Sequence, residues 1–202
     1  IPFETRVLGS EAYGVIALSV AMSSIITIVL DFGLILSATE RVVKLAGNAA
    51  SLARLLGNVA CAKACLALAV GMVIVVLILF VPPFSEYRSL FLLYYLAYAV
   101  NAFLPDFFYR GHEDMRIITV RTVTVKVFSA LPIFFLLRGP SDMWVVPALL
   151  LAGNAAAVFF SYCDIRKRYR VEALTFDVKE SFGILRASFG FFVSRFSSVF
   201  YQ

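Results

Sequence analysis

The chain has 202 residues, of which 61% are hydrophobic and only 15% charged, with a mean hydropathy of +0.90, well outside the range of a soluble domain. The net charge of +5 is explained by lysines and arginines in the loops, which orient membrane spans, and calls for no nucleic acid as a partner. Several apolar runs follow one another without the short core and small-residue cleavage site of a removable signal, which predicts an all-α polytopic membrane protein, a transmembrane helix bundle.

The run that opens the chain has no charge from Tyr13 to Leu30, about 27 Å of helix at 1.5 Å per residue, close to the thickness of a bilayer's hydrocarbon core. Ile1 to Leu8 reads as the tail of an earlier span, so the chain is expected to be a piece of a longer polypeptide. Asp31 follows at a depth where an ionised group costs roughly 2.5 to 3.5 kcal/mol, so it is expected to face a partner or a wet cavity. Ser24 and Thr27 lie seven and four residues earlier, on the same helical face. Gly33 and Ser37 mark a place where the span can bend.

Further runs extend over Leu52 to Val81, Leu90 to Tyr109, Ile117 to Leu137 and Met143 to Cys163, and another begins near Phe182. The punctuation is Gly47-Asn48, Pro82-Pro83 with Ser85, Arg110 to Asp114, Arg138 to Asp142, and a basic connection from Asp164 to Glu180. Cys61, Cys65 and Cys163 all fall inside apolar segments and read as small packing residues, with no disulfide and no metal site expected. The single histidine, His112, falls in a turn and reads as a solvated loop residue, and no catalytic set surrounds it. No cofactor and no enzymatic activity are expected.

Arg41, Lys44, Arg54, Arg110, Arg116 and the cluster from Arg166 to Arg170 gather on one side of the alternating spans, against Arg88 and Arg138 on the other. The basic side is therefore expected to be cytoplasmic, in contact with anionic lipid. Counted from cytoplasmic ends, Lys63, Lys126 and Asp31 all lie about 14 to 15 Å deep. Lys126 has its own polar stripe, with Thr119, Thr122 and Ser129 on its face, while Arg121 lies nearer the cytoplasm, where it can snorkel. In the last run Ser188, Arg195, Ser198 and Gln202 share a face. One reading is that Asp31 pairs with Lys63 or Lys126 and only fixes helix packing. The cations outnumber Asp31, however, and a cavity with surplus positive charge suits an anion. Lys126 and Arg195, supported by Lys63, are the candidate anion-binding residues. Asp31, Thr27, Thr122, Ser129 and Arg121 are candidate polar or ion-pair residues of the same cavity.

Leu8-Gly9-Ser10-Glu11-Ala12-Tyr13-Gly14 resembles the turn between the first two helices of polysaccharide flippases, in the multidrug, oligosaccharidyl-lipid and polysaccharide exporter superfamily. Asp31-Phe32-Gly33, Ser37 to Arg41, Phe107 to Met115 and Phe192 to Arg195 resemble blocks of its O-antigen flippase branch, in register. The sequence departs at Arg110, where many relatives carry Gln or Lys, and at Glu40-Arg41, where Arg-Glu is commoner. The resemblance implies two six-helix lobes around a central cavity. Residues 1–180 would hold the end of helix 1 and helices 2 to 6 of the first lobe, and residues 181–202 the start of helix 7. It also implies a lipid-linked substrate, an undecaprenyl-pyrophosphate-linked oligosaccharide moved between the leaflets of a bacterial cytoplasmic membrane, with the glycan polymerase machinery as a further candidate partner. The alternatives are a cation-coupled drug exporter of the same superfamily, a membrane enzyme of glycan assembly, and a structural subunit. Outer loops of only a few residues leave little room for an enzyme's catalytic groups.

The charge asymmetry sets a topology. Cysteines substituted at Ser85 and Ser141 are expected to react with an impermeant thiol reagent in intact cells, and those at Asp114 and Thr175 are not. Labelling at Thr175 would invert the orientation.

Overall fold

The structure, a computed structural model, describes residues 2–137, 139, 142–171 and 175–200, and leaves out the side chains of residues 2–6, 8, 10, 82, 83, 195 and 198–200. Arg138, Ser141 and Gln202 thus lie outside it, as do the side chains of Arg195 and Ser198. The described residues form helices α1 (Pro2–Asp31), α2 (Leu34–Lys44), α3 (Ala49–Phe80), α4 (Pro82–Glu86), α5 (Arg88–Ala102), α6 (Asp106–Gly111), α7 (Met115–Leu136), α8 (Val145–Arg168) and α9 (Val178–Phe200). No strand occurs among them.

Among the described residues, five helical stretches are long and apolar enough to cross a membrane: Glu11–Lys44, Ala49–Phe80, Arg88–Gly111, Met115–Leu136 and Val145–Arg168. They match the first five of the six predicted runs. Two of them are pairs of helices joined through a break, α1 with α2 and α5 with α6. Helix α9 carries Lys179, Glu180, Arg186 and Arg195 and is not among the five.

Burial is inverted relative to a soluble bundle, because lipid is as apolar as leucine and large aliphatic groups need no shelter from it. Leu68 and Phe80 on the outer half of α3 are 74% and 78% exposed. Small and polar groups lie inside instead. Along α1 the buried polar residues are Ser19, Ser23 and Asp31, with Thr27 half-buried between them. Each hydroxyl donates to the carbonyl four residues back, Ser19 to Val15 at 2.8 Å, Ser23 to Ser19 at 2.7 Å and Thr27 to Ser23 at 2.8 Å. The inward stripe therefore runs through Ser23. Ser24, expected on it, is exposed and bonds only within its own helix, since one residue along a helix rotates the side chain by about 100°.

The first break falls where expected, at Phe32-Gly33. Gly33 takes the left-handed conformation, φ 71°, and the backbone of α9 presses on it. A Cβ there would stand 2.8 Å from Phe192 N and 2.9 Å from the Ser188 carbonyl. Phe32 stacks on Phe192 with ring centroids 4.6 Å apart. One turn on, the buried hydroxyls of Ser37 and Ser188 meet at 2.5 Å. The Ser188 hydroxyl donates to Ile184 O, so Ser37 supplies the proton between them.

The basic helix ends converge. Arg168 at the end of α8 pairs with Asp114 before α7 at 2.6 Å, and Asn58 of α3 donates to Glu180 of α9 at 2.6 Å and accepts from Asp177 N at 2.7 Å. Gly57 lets the Thr175 backbone lie against α3. His112 corrects an expectation. It is not a solvated loop residue but is half-buried between Phe108 and Tyr169, each ring 4.4 Å away, with Nδ1 3.0 Å from Phe108 O. Beyond the last span, burial pushes the Tyr169 phenol above its ordinary pKa, and the negative charge of Asp114 adds to that. The opposite ends close over Ala12, Ile16, Leu90, Tyr94 and Leu137.

Candidate functional site

The second break, at Phe103-Leu104-Pro105, gathers the polar groups. Pro105 has no N–H to continue the ladder of α5, and in hydrocarbon the freed carbonyls must find other donors. They find side chains. Lys63 Nζ of α3 donates to Ala102 O at 2.5 Å and Leu104 O at 3.4 Å, and Tyr162 of α8 donates to Phe103 O at 3.4 Å. Three successive carbonyls are thus held by two neighbouring spans.

Lys63 is 4% exposed, and its ammonium lies 5.7 Å above the Phe107 ring. A cation at the carbonyl end of α5 also meets the negative end of the helix dipole. Asp31 and Asp106 are the two acids whose charge acts on it. Lys63, one of the two lysines proposed as partners for Asp31, thus lies within its electrostatic reach.

Asp106 opens α6, where an acid suits the positive helix end, and pairs with Arg121 of α7. The other arm of Arg121 reaches Ser161 Oγ of α8 at 3.2 Å. Its side chain is only 10% exposed, which corrects the expected snorkelling: a half-buried acid one helix away is a better partner than the distant interface. Tyr109 adds a second tie, its hydroxyl 3.0 Å from Ser161 O and 3.1 Å from Asp164 Oδ2. Asn154 of α8 donates to Ala97 O of α5 at 2.9 Å.

Lys63, Asp31 and Arg121 thus join one buried to half-buried network with Asp106, Tyr109, Ser161 and Asp164. Lys126 stands apart. It is exposed on α7, and among the described residues nothing bonds or pairs with it. Thr119 and Thr122 are also exposed and bond to Met115 O at 3.2 Å and Ile118 O at 2.7 Å of their own helix. Ser129 leaves this stripe: its hydroxyl is buried in the seam between α7 and α8, against Gly153. Thr27 is spent within α1. Arg195 belongs to α9, and its side chain lies outside the described residues.

No sequence pattern marks Tyr109, Ser161, Tyr162 and Asp164 as members of this network. One signal for it was present: Pro105 inside an apolar run requires a break and hence outside donors.

Replacing Lys63 by Met keeps its bulk and removes its donors. In the full-length protein it is expected to lower the unfolding free energy by about 1 to 3 kcal/mol, the cost of buried acceptors left unmet. Lys126→Met is expected to change it by less than about 0.5 kcal/mol. Denaturant unfolding in mixed micelles measures both, and equal losses would contradict this division of roles.

No curated protein and no solved structure matches the chain. A family model described as "Polysaccharide biosynthesis protein" matches residues 1–202. With five helices able to span a bilayer, the chain is a multi-pass membrane protein of the polysaccharide biosynthesis family.

Proposed function

We propose that the chain belongs to a flippase that carries undecaprenyl-pyrophosphate-linked oligosaccharide units, of O-antigen, capsule or exopolysaccharide, from the inner to the outer leaflet of a bacterial cytoplasmic membrane. It makes and breaks no covalent bond, and the exported unit passes to the glycan polymerase machinery. The observation that carries the reading is Lys126, a cation ten residues inside its span, exposed, beside two threonines and without a partner among the described residues. A charge at that depth is costly unless a cavity or a ligand receives it.

In this reading Lys126 and Arg195 hold the pyrophosphate near the midplane, where alternating access places a substrate site. Lys63 is withdrawn from direct contact, because its ammonium is taken up by Ala102 O and Leu104 O. It serves by holding the broken span. A cation-coupled drug exporter would want an acid open to a cationic drug. Asp31 and Asp106 favour it less, since Asp106 pairs with Arg121 and the charge of Asp31 acts on Lys63.

The test is surface glycan in a flippase-null strain complemented with full-length Lys126→Ala, Arg195→Ala and Arg195→Lys at matched protein levels. Both alanine variants are expected to lose export, and Arg195→Lys to lose more than its retained charge suggests, because lysine cannot form the paired hydrogen bonds of a guanidinium to phosphate oxygens. Normal export by both alanine variants would refute the anion site.

A further inference from the structure

A groove of about 890 Å³ runs between α7 and α8, apart from the Lys126 face. Its walls are apolar, with Val120, Phe128 and Phe160, and small residues such as Gly153 and Ala156 form its floor. Charge is confined to one end, where Arg116, Arg121, Arg168, Asp114 and Asp164 line it. From Arg116 to Phe128 it extends about 18 Å along α7, a little more than one leaflet of a bilayer whose core is about 30 Å thick. Its charged end is the basic end of the bundle, at headgroup level on the cytoplasmic side.

The pairing at that end narrows what fits. Arg121 is taken by Asp106 and Arg168 by Asp114. Arg116 has no partner among the described residues, and Asp164 accepts only the Tyr109 hydroxyl there. One cation and one acid remain. The groove mouth also holds the start of α7, which has no side-chain cap, so its first amides favour an anion beside Arg116.

We infer that this groove seats a zwitterionic glycerophospholipid of the cytoplasmic leaflet with a primary ammonium in its headgroup. Its phosphate lies on Arg116, its ammonium on Asp164 and one acyl chain along the floor. A headgroup with only a phosphate leaves Asp164 facing a negative charge. A trimethylated ammonium has no N–H to give the carboxylate. A pyrophosphate carrier brings at least two negative charges to one unpaired arginine. The inference is independent of the transport reading, since Lys126, whose exposure carries that reading, does not line the groove.

The experiment is native mass spectrometry of the full-length protein, exchanged into an equimolar mixture of phosphatidylethanolamine, phosphatidylglycerol and phosphatidylcholine, with a polyprenyl phosphate added in a second arm. Phosphatidylethanolamine is expected to be retained about tenfold over phosphatidylcholine, the factor that one charge-assisted hydrogen bond supplies. Asp164→Asn should erase that preference, Arg116→Gln should weaken retention of all three phospholipids, and Ala156→Phe, which fills the groove from an exposed position, should abolish the retained lipid. Equal retention of the three lipids by the unaltered protein would overturn the assignment. So would preference for phosphatidylglycerol or the polyprenyl phosphate, an empty groove, or a preference that survives Ala156→Phe. The unaltered protein and Ala156→Phe decide the matter even if Asp164→Asn fails to fold.

Discussion

The structure depends on how a broken helix is satisfied inside a membrane. Where α5 gives way to α6, three carbonyls lose their helical donors, and Lys63 and Tyr162 replace them from two different spans. In water such carbonyls would bond to solvent, and the lysine would stay at the surface. In hydrocarbon each needs the other. The pairing therefore fixes the depth of α3 against α5, and the acids follow: Asp106 begins the next helix at the same level, and Arg121 crosses from α7 to meet it.

A second contact type locks the other break. Gly33 admits the α9 backbone, the Ser37 and Ser188 hydroxyls join the helices, and Phe32 stacks on Phe192. Van der Waals packing through small residues, with hydroxyls bonded to their own helices, replaces a hydrophobic driving force that lipid does not provide. Both breaks thus lie against a neighbouring helix. One is held by charge on carbonyls and the other by close backbone approach. The result is that, among the described residues, Lys63 and Arg121 are consumed by the fold and Lys126 is left over.

The spans, their turns and the convergence of basic ends are legible in the sequence, because long apolar runs and loop arginines report directly on the bilayer. The depth of Lys63 could be counted, but not what it touches, because its partners are main-chain carbonyls freed by Pro105 on another span. Rotation about the helix axis is set by neighbouring helices and is not written in the spacing of one span. Ser24 and Thr27 looked like the stripe of Asp31, yet Ser19 and Ser23 face inward, a difference of one residue that only neighbouring helices decide. Arg121 and His112 were misplaced for a related reason. Each found a partner on another helix or loop, Asp106 for Arg121 and Tyr169 for His112, that spacing along the chain does not reveal.

The central claim is that Lys126 faces the transported anion while Lys63 serves the fold. A photoreactive residue at Thr122, on the exposed face of Lys126, tests it most directly in cells that make the lipid-linked glycan. The account predicts a crosslink to that glycan which disappears when Lys126→Ala is added and which a probe at lipid-exposed Leu68 does not give. Crosslinking that persists without the Lys126 charge, or that is equal at Leu68, would contradict it.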